Sequence, residues 1–147
     1  MKKLVIATLS GALLAGSLNV YANDVEDAIE YRQGVFQAIK WYFGPMAGMA
    51  KGDIEYDAAE FTRRAEMLNQ LSYMAEEGFI EGSAEGDTDA LPAIWEDMDQ
   101  FSAGFDKLQE NTAALAEASK SGDMGTIMPA FAEVGKTCKG CHDNFRD

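Results

Sequence analysis

The chain has 147 residues, with 12 lysines and arginines against 25 aspartates and glutamates, and a formal net charge of −13 at pH 7. A surface this acidic repels nucleic acids and anionic lipids, so we expect neither as a partner, and the charge would favour a basic protein partner, if there is a protein partner at all. Solubility alone also accounts for such a charge, and the length suits a single domain.

Residues 1–22 have the pattern of a secretory signal peptide. Two lysines are followed by an apolar run, and a small residue, Ala22, ends a plausible cleavage site. The run is short and interrupted by glycines, which makes it a poor membrane span, although an uncleaved anchor is the alternative. We therefore expect export to a bacterial periplasm, no membrane association after cleavage, and one domain over residues 23–147 with a net charge of −15.

Helical periodicity predicts four amphipathic helices, and strand alternation is absent. The first predicted helix, from about Val25 to Met49, places apolar side chains on one stripe: Val25, Ile29, Phe36, Ile39 and Phe43. Arg32 falls inside this stripe, where an arginine is costly unless it meets an anion. The alternative is a position at the edge of the stripe, with the guanidinium reaching solvent.

The second predicted helix begins at a capping box, with Asp57 as N-cap and Glu60 three residues later, and Gly78 ends it. Its buried face is predicted to hold Phe61, Ala65, Leu68, Ser72 and Ala75. Residues 78–90 have no periodicity and form the longest predicted loop. Within it, the apolar pair Phe79–Ile80 is expected to return to the core.

The third predicted helix begins at Leu91–Pro92 and is continuous, with a buried face of Ile94, Met98, Phe101, Phe105, Leu108, Thr112 and Leu115. Gly122 is expected to stop it and Asp123 to cap the fourth helix. That helix carries Ile127, Phe131, Val134, Cys138, Cys141 and Phe145 at alternating spacings of three and four. The pattern predicts an all-α, antiparallel up-down-up-down four-helix bundle.

The pentapeptide Cys-Lys-Gly-Cys-His at 138–142 matches the attachment pattern of c-type haem. On a helix Cys138, Cys141 and His142 share a face, so the thiols can bond two vinyl groups while the imidazole reaches the iron. A redox disulfide usually accompanies a βαβ pattern, and structural zinc needs four ligands. We therefore predict one covalently bound haem c. It lies inside the bundle, because both cysteines are on the buried face.

A haem would also supply the anion that Arg32 needs. A propionate suits bidentate pairing with a guanidinium, and Gln33 could donate to the same carboxylate. The chain has no second histidine, so bis-histidine ligation of the iron is excluded. A methionine remains as an alternative sixth ligand and would give a closed, low-spin electron carrier. Methionines at helical spacing are, however, usually core residues, and an open but apolar distal side is favoured.

The sequence resembles the cytochromes c′, the four-helix class II c cytochromes, over essentially all of residues 23–147. The resemblance rests on Glu30-Tyr31-Arg32-Gln33, Tyr56-Asp57-Ala58-Ala59, Ile94-Trp95 and residues 134–146, which place the haem motif near the C-terminus. It implies a five-coordinate, high-spin iron with His142 on one face and Phe36 crowding the other. It also implies that Arg32 and Gln33 lie near the propionates and Arg146 near the proximal face.

The same resemblance implies a function. Members bind nitric oxide and carbon monoxide, are thought to pass single electrons, and are commonly homodimers joined through their first two helices, with no settled redox partner. An apolar distal side lacks donors to stabilise bound dioxygen, which favours such gases. Peroxide cleavage normally uses a distal acid–base group, and the only histidine is assigned to iron, so an enzyme is not expected.

Overall fold

A computed structural model describes the backbone of residues 14–147 and the side chains of residues 24–147. The side chains of the predicted signal peptide, residues 1–22, lie outside the described residues. The helices are α1 Leu14–Lys51, α2 Ala58–Ser72, α3 Ala93–Glu96, α4 Met98–Ser119 and α5 Met124–Phe145, with a 3₁₀ turn at Ala75–Gly78. No helix of the described part of the chain is both long and apolar enough to cross a membrane.

Helices α1, α2, α4 and α5 form the predicted antiparallel four-helix bundle. Close backbone packing joins α1 to α2, α2 to α4 and α4 to α5, whereas the described backbones of α1 and α5 pack less closely. The described part of helix α1 extends from Leu14, so the helix already includes the residues before the predicted start near Val25.

Three helices begin at an aspartate that caps the first turn: Asp57, Asp97 and Asp123. Asp57 and Asp123, both predicted as N-caps, accept hydrogen bonds from the backbone N–H of Glu60 and Thr126 at 3.0 and 2.8 Å. These bonds satisfy donors that the first helical turn leaves without a partner. The predicted capping box at Asp57 is formed only in this half, because the Glu60 carboxylate pairs with Arg63 instead.

The prediction of one continuous third helix is wrong, because the helix is interrupted at Asp97. This residue has a non-helical backbone (φ −139°, ψ 66°), and its side chain accepts a hydrogen bond from the N–H of Gln100. A short side-chain acceptor at this point starts α4 anew and separates it from α3. The predicted buried face continues across the break, with Ile94, Phe101 and Leu115 buried.

The core consists of two apolar clusters along the bundle. The first cluster is built on Met46, Phe61, Leu68, Leu115, Ile127 and Val134. The second cluster is built on Val35, Ile94, Phe101, Phe105 and Phe145. Two half-buried side chains, Ile39 and Leu108, pack against both. The predicted face of the second helix is buried throughout, although α2 ends at Ser72, before the predicted end at Gly78, and Ala75 lies in the 3₁₀ turn.

Candidate haem-binding site

The Cys-x-x-Cys-His motif lies near the end of α5, at the junction of the two apolar clusters. Cys138 packs against the first cluster and Cys141 against the second, and both are half-buried, free thiols. His142 is exposed. The Asp123 cap and the buried residues Ile127 and Val134 fix the rotation of α5 that produces this arrangement.

Helix α1 contributes apolar side chains to the same two clusters, on the side where it packs less closely against α5. Phe36, Ile39 and Phe43 are half-buried on α1, and Phe131 is half-buried on α5. The Phe43 and Phe131 rings stack with centroids 4.9 Å apart and an interplanar angle of 6°. Side chains rather than close helix packing therefore join α1 to α5 here.

This arrangement fits the chemistry of a c-type haem. Two thioether bonds need two free thiols about one helical turn apart, and the iron needs a basic nitrogen close by. The chain offers Cys138, Cys141 and His142 on one helix, opposite apolar side chains of α1. The haem would be held by α5 and covered by the half-buried aromatic side chains between α1 and α5.

The electrostatics of the motif favour neutral groups. Burial raises the pKa of the Cys138 thiol, and burial together with the neighbouring Cys138 raises the pKa of the Cys141 thiol. Desolvation of the imidazole, followed by the nearby Arg146 guanidinium, lowers the pKa of His142. A neutral imidazole has a lone pair for a metal, so the surroundings of His142 suit a ligand.

Phe36 belongs to the same apolar cluster as Cys141. Its half-buried ring meets the Phe79 ring edge-on, with centroids 6.3 Å apart and an interplanar angle of 74°. The next residue towards the N-terminus, Val35, is 7% exposed and is the one that fully enters the core. Phe36 therefore lies at the edge of the cluster, and its role as the distal wall stays a prediction.

The buried arginine predicted on α1 has partners within the chain. Arg32 is 2% exposed, and its terminal nitrogens donate to Gly78 O at 3.0 Å, Ser83 Oγ at 2.7 Å, Ser83 O at 2.7 Å and Thr88 Oγ1 at 2.8 Å. These four bonds use every N–H of the two terminal nitrogens. The expected anion is therefore not needed to pair these four donors, and the fifth, Nε–H, is the one left for a propionate, whose contact with Arg32 stays a prediction.

Gln33 also contacts the loop that follows α2. It is exposed, and its Nε2 donates to the backbone oxygen of Asp87 at 2.7 Å. The sequence did not indicate that Arg32 and Gln33 would bind this loop, because the acceptors are backbone and hydroxyl oxygens of an aperiodic segment. Neither type of acceptor leaves a pattern in the sequence.

The methionines occupy several environments. Met46 and Met49 are buried in the first cluster, as core methionines usually are, whereas Met74 and Met128 are 41% and 37% exposed. Met98 is half-buried against the second cluster, which also contains Cys141 and Phe36. Met98 is therefore a specific candidate for the alternative sixth ligand.

The C-terminus is anchored beside the motif, which the sequence did not predict. Arg146 forms an isolated antiparallel bridge with Ala90, and the N–H of Leu91 donates to Phe145 O at 3.0 Å. The N–H of Asp147 donates to Asp89 O at 2.9 Å. These bonds hold the backbone of Arg146 one turn beyond His142, so this end of α5 is tied to the loop at residues 89–91.

Comparison with known proteins gives a consistent result. The family model described as Cytochrome C′ matches residues 27–146. A cytochrome c′ of Halomonas halodenitrificans is 42% identical over 127 residues, covering 82% of this chain and 96% of the relative. The structure of cytochrome c prime from Shewanella frigidimarina matches with a TM-score of 0.82 and 49% identity, covering 84% of this chain and 96% of that one.

A further solved relative contains a gas ligand. The nitric oxide complex of a mutant cytochrome c prime from Alcaligenes xylosoxidans is 36% identical, with a TM-score of 0.77, and covers 84% of this chain and 95% of that one. The fold is thus shared with solved proteins of one named family.

Proposed function

The chain belongs to the cytochrome c′ family, and from this premise we propose that it is a periplasmic c-type haem protein that binds nitric oxide or carbon monoxide and carries single electrons. One observation supports this most strongly. Two free, half-buried thiols and an imidazole lie in one helical turn of α5, and Cys141 shares an apolar cluster with Phe36 of α1. We propose one haem per chain.

The residues of α5 would bind and orient the cofactor. Cys138 and Cys141 would hold it through two thioethers, and His142 would be the proximal ligand. When bound, the haem supplies an iron that takes up a diatomic ligand and exchanges one electron. Arg146, held by its backbone one turn beyond His142, would act on the imidazole electrostatically.

Phe36 would control the other face of the iron. An aromatic ring at this position excludes water and provides no hydrogen-bond donor, which suits small neutral gases better than dioxygen. This assignment predicts a five-coordinate, high-spin iron. Support comes from the place of Phe36 in the same apolar cluster as Cys141, and from the relative that was solved with nitric oxide.

A closed methionine–histidine cytochrome is the second candidate. It is favoured by one observation, the half-buried position of Met98 in the cluster that contains Phe36 and Cys141. Such a site would be low-spin, of raised potential and closed to gases. The two candidates therefore differ in spin state and in their response to carbon monoxide.

Optical spectra of the ferric and ferrous protein, with and without carbon monoxide, test the proposal. We expect a high-spin ferric spectrum and a ferrous spectrum that carbon monoxide shifts, both unchanged in Met98→Leu. A low-spin spectrum that carbon monoxide leaves unaltered, and that becomes high-spin in Met98→Leu, would support the closed electron carrier instead. Cys138→Ala with Cys141→Ala is the control and should lack covalent haem.

We also propose a homodimer joined through α1 and α2. Trp41 on α1 is 70% exposed, and its backbone oxygen accepts a 2.9 Å hydrogen bond from Arg64 of α2, so this indole lies where the two helices meet. Large exposed aromatics are enriched at interfaces. Sedimentation velocity should show a dimer that weakens in Trp41→Ala, whereas an unaltered monomer in both proteins would contradict the assignment.

A further inference from the structure

The loop from Gly78 to Thr88 is fastened to α1 mainly by Arg32, and Gln33 adds one bond to Asp87 O. Arg32 makes four hydrogen bonds to three residues of this loop: Gly78, Ser83 and Thr88. Ser83 is fully buried, and its hydroxyl in turn donates to Ile80 O at 2.8 Å. A guanidinium has a rigid planar set of donors, so four bonds of this kind fix the loop in both position and orientation.

The same guanidinium lies over aromatic rings. The Arg32 Cζ is 4.5 Å from the centroid of the Phe79 ring and 5.7 Å from that of Trp95. The Trp95 Nε1–H donates to Ile80 O at 3.0 Å, which holds the indole against the same loop. A cation over an aromatic face is attracted to it, so Phe79 is held between Arg32 and the core.

Close packing leaves the start of this loop little room to shift. A Cβ on Gly78 would lie 2.6 Å from Arg32 Cβ and 2.8 Å from Ala28 O, so the loop backbone touches α1 directly. On its other side, the Phe79 ring packs edge-on against Phe101, with centroids 4.7 Å apart. Phe79 is thereby confined by α1, α4 and the guanidinium.

Phe79 contacts the side chain assigned to the distal face. The rings of Phe36 and Phe79 meet edge-on at 6.3 Å, one helical turn along α1 from Arg32. We propose that Arg32 is a positioning residue that, by holding Phe79 and its loop, fixes the ring of Phe36 and so sets how readily a gas reaches the iron. This inference rests on the proposed function, since it needs an iron behind Phe36.

The test is a double-mutant cycle in the holoprotein. Arg32→Met keeps an unbranched side chain of similar length but removes all four hydrogen bonds and the cation over Phe79. The rate constant for carbon monoxide association with the ferrous protein is measured by flash photolysis in wild type, Arg32→Met, Phe36→Ala and the double variant. Thr112→Val is the matched control, because Thr112 is buried and hydrogen-bonded between α2 and α4, away from Phe36.

We expect Arg32→Met to raise the association rate about fivefold or more, because a released Phe79 lets the Phe36 ring swing away, and the Thr112→Val rate to match wild type. In the Phe36→Ala background, Arg32→Met should have almost no further effect. An equal effect in both backgrounds would show that Arg32 does not act through Phe36 and would overturn the inference.

A crystal structure of the Arg32→Met holoprotein provides a readout that needs no gas. We expect the edge contact between the Phe36 and Phe79 rings to be lost or displaced, whereas rings that keep their wild-type arrangement would overturn the inference. If the wild-type protein binds no carbon monoxide, the proposed gas binding has failed. The ring positions then still decide whether Arg32 orders Phe36.

Discussion

Replacing Arg32 by methionine should cost far more stability than replacing a surface arginine. The substitution leaves the backbone oxygens of Gly78 and Ser83 without their donors, and a buried acceptor without a partner costs about 1–3 kcal/mol. The hydroxyls keep partners, because Ser83 Oγ still donates to Ile80 O and Thr88 Oγ1 still accepts from Ala90 N. The methionine buries more apolar surface and removes the desolvation cost of the buried charge, and both effects offset part of the free energy lost with the hydrogen bonds. We therefore expect a net loss of about 2–4 kcal/mol in the free energy of unfolding.

The matched control is Arg63→Met. Arg63 is half-exposed, with a side chain 51% accessible, and it pairs with Glu60 at 2.8 Å. Exposed ion pairs contribute about 0–1 kcal/mol, so this variant should stay within about 1 kcal/mol of wild type. Free energies of unfolding are measured on the holoproteins by urea titration, followed by far-ultraviolet circular dichroism. An unchanged denaturant slope would show that the comparison is one of stability alone.

Thr88→Val separates the loop contact from a haem propionate contact. If Thr88 accepts from Arg32, as the 2.8 Å distance indicates, its loss should cost about 1–2 kcal/mol, and the double variant with Arg32→Met should be less than additive. If Arg32 instead donates to a propionate, Thr88→Val loses only the bond from the Ala90 N–H, and its cost should add to that of Arg32→Met. Equal losses in Arg32→Met and Arg63→Met would refute the reasoning altogether.

Three further changes have defined outcomes. Asp123→Ala removes the N-cap of α5 and should lower the free energy of unfolding by about 1 kcal/mol, whereas Asp123→Asn should restore most of it. The Arg63 guanidinium lowers the pKa of Glu60 from 4.5 to about 2. The contribution of the Glu60 carboxylate to the free energy of unfolding is therefore present above pH 4.5 and is lost as the pH falls towards 2. Glu60→Gln should flatten the acid dependence of stability in that window. Gly78→Ala places a Cβ 2.8 Å from Ala28 O and should cost about 1–3 kcal/mol in the same urea titration, and a neutral result would contradict the close packing.

Periodicity predicted the bundle well because burial repeats along a helix. The face from Phe61 to Ala75 is buried as expected, and Asp57 and Asp123 cap the helices assigned to them. The break at Asp97 was missed, because the apolar spacing is the same on both sides of it. On α1 the spacing of apolar residues placed Phe36 on the buried face, yet Val35 is the more deeply buried of the two. Helix α1 packs closely against α2 and less closely against α5, so its burial is not centred where the spacing predicted.

The site was predictable to the extent that its groups are adjacent in sequence. Cys138, Cys141 and His142 lie within one helical turn, so spacing alone identified them. The partners of Arg32 lie 46–56 residues away in an aperiodic loop, and no local pattern indicates such a contact. The buried guanidinium of Arg32 does have acceptors, as the sequence required, but they include loop oxygens that no pattern indicated, and the contact with a haem propionate stays a prediction.

The most direct test of the central claim is the mass of the purified, exported chain after denaturation, measured together with its absorption spectrum. We predict a coloured polypeptide heavier than residues 23–147 by one haem, and a colourless chain of unmodified mass when Cys138 and Cys141 are both replaced by alanine. A wild-type chain without the added mass, or haem that dissociates on denaturation, would contradict covalent attachment at these two thiols.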